Sequence, residues 1–161
     1  MLGTTPAAAK GLVQRARRGL QRLGPGARAL ATQPGSPAEA DVARRFAEAF
    51  SADDVDAVVA VLTDDAWLRM PPAPHEYQGK GPIAEFLRAS SAGRAGRRLS
   101  LVPTRANGQP AFLCYIGGSA DQRPCPSGIV ALEVAGGRVA VITRFLDRAL
   151  PAVFARQGPP R

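Results

Sequence analysis

Two short turns in the second half of the chain constrain its fold more than any other feature. Asn107-Gly108 and Gly136-Gly137 are each flanked by apolar-rich runs, at residues 98–106, 111–116, 129–135 and 138–146. Asn-Gly and Gly-Gly pairs suit two-residue hairpin turns because both central residues must take positive φ angles. The pattern therefore predicts two antiparallel β-hairpins.

The second turn also predicts the register of its hairpin. If the turn is two residues long, Val134 faces Val139, and Leu132 faces Val141 on the same side of the sheet. The other side then carries the remaining side chains of this hairpin: Ala131, Ile142, Glu133 and Arg144. Both sides are largely apolar. We therefore expect helices on one side and an internal pocket, formed by the curling sheet, on the other.

The first half of the chain has helical spacing instead. Ser36-Pro37-Ala38-Glu39 has the form of a capping box that opens an amphipathic helix. A second helix is predicted from Asp54 to a stop at residues 63–65, a strand at residues 66–70, a third helix from Gly81-Pro82, and a closing helix or turn over residues 148–156. Helices followed by long antiparallel strands indicate an α+β domain, which we place at residues 37–156.

The net charge of +8 is concentrated at the N-terminus. Residues 1–30 contain six basic residues and no acid, so any polyanionic partner is expected there: Lys10, Arg15, Arg17, Arg18, Arg22 and Arg28. Apolar residues at helical spacing predict a basic helix over residues 1–23. A Gly- and Pro-rich linker follows at residues 24–36, and residues 157–161 read as a frayed tail.

Composition argues against a metal centre, a cofactor and a membrane span. Cys114 and Cys125 have no CxxC spacing, and His75 is the only histidine, so we expect no metal site of soft ligands. No run of eighteen apolar residues exists, so no transmembrane helix is predicted.

Two groups of motifs resemble known families. Residues 2–10 and 14–17 are similar to the turn and recognition helix that close the promoter-binding region of sigma-70 family factors. Residues 102–112, with those at 70–72, 76–79 and 84–87, resemble the SnoaL-like extension of some extracytoplasmic-function sigma factors. The element order also resembles the cone of ketosteroid isomerase, limonene epoxide hydrolase and SnoaL-like cyclases, with three helices against a curved, mostly antiparallel sheet.

This resemblance implies the C-terminal part of a sigma factor, since no polymerase-gripping region is recognisable. It implies regulation of transcription initiation in the cytoplasm, with RNA polymerase and the remaining sigma-factor regions as partners. Promoter DNA would be bound only weakly, by residues on the basic helix: Thr5, Lys10 and Gln14 near the bases and Arg15, Arg17 and Arg18 near phosphates. A solvated basic face and an organellar targeting peptide are the alternative interpretations of this segment.

Catalysis by the cone is not favoured by the sequence. The candidate acids and bases form no recognisable pairing: Asp147, Glu133, Asp64, Asp65 and His75. Arg144 and Asp147 could instead form an ion pair. A pocket for a small apolar ligand would be lined by Trp67, Met70, Tyr77, Tyr115 and Phe145, with Arg105 and Asn107 as polar contacts. The alternatives to a regulatory module are a stand-alone hydrolase, isomerase or cyclase and a homodimer formed through the open sheet face.

Overall fold

The computed structural model describes residues 32–117 and 124–155. Its helices are α1 (Pro37–Ser51), α2 (Val55–Ala60), α3 (Lys80–Gly93) and α4 (Leu150–Ala155). Its strands are β1 (Leu62–Arg69), β2 (Glu76–Gln78), β3 (Arg98–Ala106), β4 (Gln109–Gly117), β5 (Cys125–Ala135) and β6 (Arg138–Phe145). The predicted basic helix at 1–23, most of the predicted linker and the tail at 157–161 lie outside the described residues.

The six strands form one sheet in the order β2-β1-β6-β5-β4-β3. β1 and β6 are parallel, and every other neighbouring pair is antiparallel. Three helices pack on one side of this sheet, which we call the inner side, and the opposite side is called the outer side. The predicted α+β class, with three helices against a mostly antiparallel sheet, is confirmed.

Both predicted hairpin turns are present. Asn107 and Gly108 have φ angles of 51° and 79° and connect the paired residues Ala106 and Gln109. Gly136 and Gly137 have φ angles of 57° and 71°. Positive φ at both central residues is the requirement of the tight turn that suits twisted strands.

The predicted register of the second hairpin is correct only beside its turn. Val134 faces Val139, but Leu132 faces Ile142 and not Val141. The shift lies between Glu133 and Val134, where β6 carries one extra residue, Ala140. Because a one-residue shift exchanges the two faces of a strand, this β-bulge brings Leu132 and Ile142 together in the inner core.

The inner core contains the large apolar side chains of the helices and of the facing strands. Its completely buried members include Phe46, Leu62, Ile83, Leu132 and Ile142. The outer side has a smaller cluster on β4 and β5, namely Ala111, Leu113, Ile129 and Ala131. Leu150 and Phe154 of α4 pack against it. This part of the outer side is therefore covered by α4, and not by the sheet curling over it as we predicted.

The capping box at the start of α1 also ties this helix to the β3–β4 hairpin. The Ser36 hydroxyl accepts a hydrogen bond from the Glu39 amide at 3.2 Å. The buried Glu39 carboxylate accepts from the Gly35 amide at 2.7 Å and from Arg105 at 3.1 Å. Arg105 also donates to the Gly108 carbonyl. One buried carboxylate therefore holds two elements that are distant in sequence.

The first half differs from the prediction at the end of the second helix and at one short strand. The second helix ends at Ala60, so residues 63–65 belong to β1. β2, which we expected to be loop, is a three-residue edge strand too short to show an alternating pattern. Thr32, near the end of the predicted linker, donates its amide to the Val134 carbonyl at 3.3 Å, so the chain already contacts the sheet at this residue.

Candidate functional site

Arg144 reaches the inner side of the sheet because of the β6 bulge. Its guanidinium donates to the Ser127 hydroxyl at 3.3 Å and to the Cys114 sulfur at 3.6 Å. The same group lies 5.9 Å from the centroid of the Phe50 ring. The predicted ion pair with Asp147 is wrong, since Asp147 accepts a hydrogen bond from the Ala149 amide and is exposed.

A second arginine approaches from the end of α3. Arg94 is the C-cap residue of this helix and forms an ion pair with Asp53, and its side chain is only 13% exposed. Its buried Nε atom has no acceptor among the described residues. Burial lowers the pKa of Arg94, and the positive charges of Arg144 and Arg97 lower it further. The charge of Arg94 is therefore repelled by each of these two guanidinium groups.

A cleft of about 410 Å³ opens beside Arg97, between the end of α1 and the loop from α3 to β3. It is lined by Ser51, Ala52, Asp53, Ser91, Gly96, Arg97 and Arg98. Asp53 and Ala95 have φ angles of 58° and 50°, a conformation that is unfavourable for side-chain-bearing residues. Such backbone strain is concentrated at functional sites in proteins. We call Arg94, Arg97, Arg98 and Arg144 the arginine cluster.

The thiol of Cys114 lies next to this cluster. Cys114 is completely buried, and burial raises the pKa of its thiol, while the charge of Arg144 and its hydrogen bond act in the opposite direction. The desolvation effect is the larger one. A thiol that stays protonated is a weak nucleophile, so this cysteine is placed for packing and not for attack on a substrate.

A second cleft of about 580 Å³ lies at the end of β1. We call it the proline cleft, and it is lined by Arg69, Met70, Pro71, Pro72, Ala73, Pro74, Glu76 and Thr143. Arg69 lies opposite Thr143 in the sheet, and its guanidinium is 5.0 Å from the centroid of the Trp67 ring. Because Ala66 and Leu68 belong to the inner core, Trp67 and Arg69 are on the outer side.

The structure does not bring the seven predicted pocket residues to one cavity. Met70 lines the proline cleft, with Trp67 beside it, whereas Tyr77 packs against the inner core and stacks on Phe86 at 4.6 Å. Tyr115 belongs to the outer cluster. The remaining three are dispersed. Phe145 lies at the end of β6, Arg105 donates a hydrogen bond to Glu39, and Asn107 lies in the hairpin turn.

The candidate acids and bases are all exposed: Asp147, Glu133, Asp64, Asp65 and His75. Asp64 forms an ion pair with Lys80 at 2.7 Å, which lowers the pKa of that carboxyl. Within residues 32–117 and 124–155, Glu39 is the one buried carboxylate, and it is already paired with Arg105. General acid–base catalysis depends on a group whose surroundings tune its pKa, and these five side chains lie in solvent.

Sequence reasoning missed the arginine cluster. Arg94, Arg97 and Arg98 lie within a stretch of five residues, so their close spacing in the sequence could have indicated a basic site. Arg144 could not be added from sequence because its position depends on the bulge at Ala140. The predicted DNA contacts Thr5, Lys10, Gln14, Arg15, Arg17 and Arg18 lie outside the described residues.

Two further observations concern only the described part of the chain. No group of three or more His, Cys, Asp or Glu side chains there is arranged to hold a metal ion. No helix in these ranges is both long and apolar enough to cross a membrane.

Comparisons with known proteins give the chain a family and a relative. The SnoaL-like domain family matches residues 43–142. The chain is 34% identical over 159 residues to the ECF RNA polymerase sigma factor SigG of Mycobacterium tuberculosis, in strains CDC 1551 / Oshkosh and ATCC 25618 / H37Rv. That match covers 99% of this chain but only 42% of the curated relatives, and it corresponds to their C-terminal part. The predicted resemblance to sigma factors with a SnoaL-like extension is confirmed.

Solved structures show the same fold at low sequence identity. A candidate ketosteroid isomerase from Kribbella flavida DSM 17836 superimposes with a TM-score of 0.55 and 18% identity, over 81% of this chain and 87% of its own. An NTF2-like protein of unknown function from Mesorhizobium loti superimposes with a TM-score of 0.55 and 21% identity, over 70% of this chain and 93% of its own. These matches confirm the predicted SnoaL-like cone and, at such identities, establish the fold alone.

Proposed function

We propose a function from one premise: this chain belongs to the SnoaL-like domain family. On that premise, the chain is the C-terminal regulatory part of an extracytoplasmic-function sigma factor and acts in transcription initiation. The single observation that carries this proposal is the extent of the match to SigG. The family match begins at residue 43, whereas the similarity to SigG covers 99% of the chain and so includes the basic N-terminal segment.

The partners in this proposal are RNA polymerase and the remaining sigma-factor regions, and its location is the cytoplasm, where transcription occurs. Promoter DNA is a weaker partner, contacted through the basic segment. Thr5, Lys10 and Gln14 would lie near bases, with Arg15, Arg17 and Arg18 near phosphates. Binding of this kind is dominated by phosphate neutralisation and is therefore strongly dependent on salt.

The contact with the remaining sigma-factor regions is best supported on the outer side around the proline cleft. Tryptophan and arginine are enriched at protein interfaces, and the Arg69 guanidinium lies over the Trp67 ring here. The neighbouring part of the outer side, over β4 and β5, is already covered by α4. The outer surface at β1 and β6 lies beyond this covered part.

The test is an association measurement between the full chain and a cognate sigma factor that lacks its own SnoaL-like part. Arg69→Ala should weaken the association if the proline cleft forms the contact. Arg88→Ala is the matched control, because Arg88 is an exposed arginine that forms an ion pair with Asp56 on the helical side. No association of the unmodified chain would contradict the regulatory proposal. Equal effects of the two variants would contradict the assignment of the surface.

Binding of a small apolar ligand is the second candidate function. The observation that favours it is the proline cleft, where Met70, Pro71, Pro72, Ala73 and Pro74 form most of the lining. Its volume of about 580 Å³ is within the range of small-molecule sites, roughly 300–1,000 Å³. Saturable binding of an apolar fluorescent probe, abolished by Ala73→Trp, would support this candidate.

A homodimer through the outer face remains the third proposal. Analytical ultracentrifugation over a range of concentrations measures it directly. A dimer that Arg69→Ala weakens would place its interface on the surface assigned above to the sigma-factor contact. A chain that stays monomeric throughout would contradict the homodimer.

A further inference from the structure

The arginine cluster has a charge excess that neither the fold nor the proposed sigma-factor role explains. Arg94, Arg97, Arg98 and Arg144 supply four positive charges, and Asp53 is the carboxylate paired among them. Arg44 and Arg88, by contrast, are exposed arginines that each lie within 2.8 Å of an acidic side chain. The cluster therefore carries more positive charge than its one carboxylate neutralises.

Holding Arg94 near Arg97 and Arg144 is electrostatically unfavourable. The Arg94 side chain is largely buried, and its Nε atom has no acceptor in the described part of the chain. The nearby charges of Arg144 and Arg97 disfavour its charged form further, as the direction of its pKa shift shows. An anion bound beside Arg97 would offset part of this repulsion.

The adjacent cleft has the size and lining for a small polar anion. Its volume of about 410 Å³ falls within the range of small-molecule sites, roughly 300–1,000 Å³. Ser51 and Ser91 contribute hydroxyl groups, and Arg97 and Arg98 contribute planar guanidinium donors. Guanidinium geometry matches phosphate oxygens in a two-pronged manner that lysine cannot reproduce.

We propose that this cleft binds a small phosphorylated ligand, with Arg97 and Arg98 contacting phosphate oxygens. Arg94, oriented by Asp53, extends the positive field from the cleft towards Arg144 on the inner side. The apolar floor beside Arg94 leaves a gap of only about 10 Å³, so the ligand lies in the polar cleft and not in the core. This proposal does not depend on the sigma-factor role, because the residues that line the cleft all lie within the range 43–142 matched by the SnoaL-like family.

Calorimetric titration of the full chain with pyrophosphate tests the proposal, at constant ionic strength maintained with sodium chloride. We expect saturable binding that the double variant R97Q/R98Q weakens by about tenfold or more, since charge-assisted hydrogen bonds are lost. The matched control is R44Q/R88Q, which removes the same charge from exposed arginines outside the cluster. Its affinity should stay within about twofold of the unmodified chain.

Separate titrations distinguish inorganic phosphate from an organic phosphate. Glycerol phosphate binding more tightly than inorganic phosphate would show that the cleft also contacts the organic part. Equal affinities would identify the phosphate group alone as the recognised chemistry. Both outcomes require the loss of affinity in R97Q/R98Q.

Three results would overturn the proposal. They are absence of saturable binding, equal weakening by the two double variants, and amide chemical-shift changes that spare Ser51, Ser91 and Gly96. The last result would place the anion elsewhere, including on the basic N-terminal segment. Arg97 and Arg98 are exposed, so R97Q/R98Q should fold, and circular dichroism verifies this. If the double variant does not fold, the single variants Arg97→Gln and Arg98→Gln are titrated instead.

Discussion

Gly128 lies where β5 passes close to the end of β6, and replacing it with alanine should destabilise the domain. Gly128 is buried, has a φ angle of 104°, and follows Ser127, which accepts a hydrogen bond from Arg144. A Cβ atom at this position would overlap the Phe145 carbonyl oxygen and lie 2.9 Å from the carbonyl carbon. Both are backbone atoms, so no side-chain rotation can relieve the overlap.

The expected cost of Gly128→Ala has two parts. A side chain at positive φ costs roughly 1–2 kcal/mol. Forcing the two strands apart adds an overpacking cost of about 1–3 kcal/mol. The free energy of unfolding should therefore fall by about 2–5 kcal/mol. Gly137→Ala is the matched control, since Gly137 has a φ angle of 71° but open space around its Cβ position. Its free energy of unfolding should fall only by the cost of the positive φ angle.

Urea denaturation followed by circular dichroism measures both changes on the full chain. We expect Gly128→Ala to lower the unfolding midpoint clearly more than Gly137→Ala does, without a change of slope. A Gly128→Ala variant as stable as Gly137→Ala would refute the reasoning. It would mean that β5 does not approach the β6 backbone as closely as described.

Three further predictions follow from other residues. Arg105→Gln leaves the Glu39 carboxylate buried without its cation and should lower the free energy of unfolding by about 1–3 kcal/mol, measured by urea denaturation. This loss is smaller than for a fully buried pair because the Arg105 side chain is 31% exposed. Because burial raises the pKa of Cys114, its thiol stays protonated in the folded state, whereas the thiol of the unfolded chain loses its proton above about pH 8.5. The free energy of unfolding should therefore fall as the pH rises from 8 to 10. That fall should be smaller in Cys114→Ala, and an equal fall in thermal unfolding would contradict the assignment. The triple variant R15Q/R17Q/R18Q should lose three phosphate contacts with duplex DNA. The slope of the logarithm of the binding constant against the logarithm of the salt concentration should then become less steep by about 2.7, as measured by fluorescence anisotropy.

Local chemistry made the turns and helix starts predictable. Asn107-Gly108 and Gly136-Gly137 specify tight turns through their backbone freedom, and Ser36 specifies the start of α1 through its side-chain hydrogen bond. These signals act over two to four residues, so no tertiary context is needed to interpret them.

The side of the sheet on which a residue lies was harder to predict. One extra residue in β6, Ala140, reverses every side chain beyond it, and no residue type in that strand marks the bulge. The arginine cluster depends on that reversal for Arg144 and on the end of α3 for Arg94. The described part of the chain has a polar cleft and a proline-rich cleft, and only Met70 of the predicted pocket residues lines either of them.

The most direct test of the central claim is promoter-dependent transcription by RNA polymerase with a cognate sigma factor. Transcript yield is compared for the factor with its SnoaL-like part, for the factor without it, and for the truncated factor supplemented with this chain. We predict that removing the part changes the yield and that adding the chain reverses at least a portion of the change. Identical yields in all three reactions would contradict the claim that this chain regulates transcription initiation.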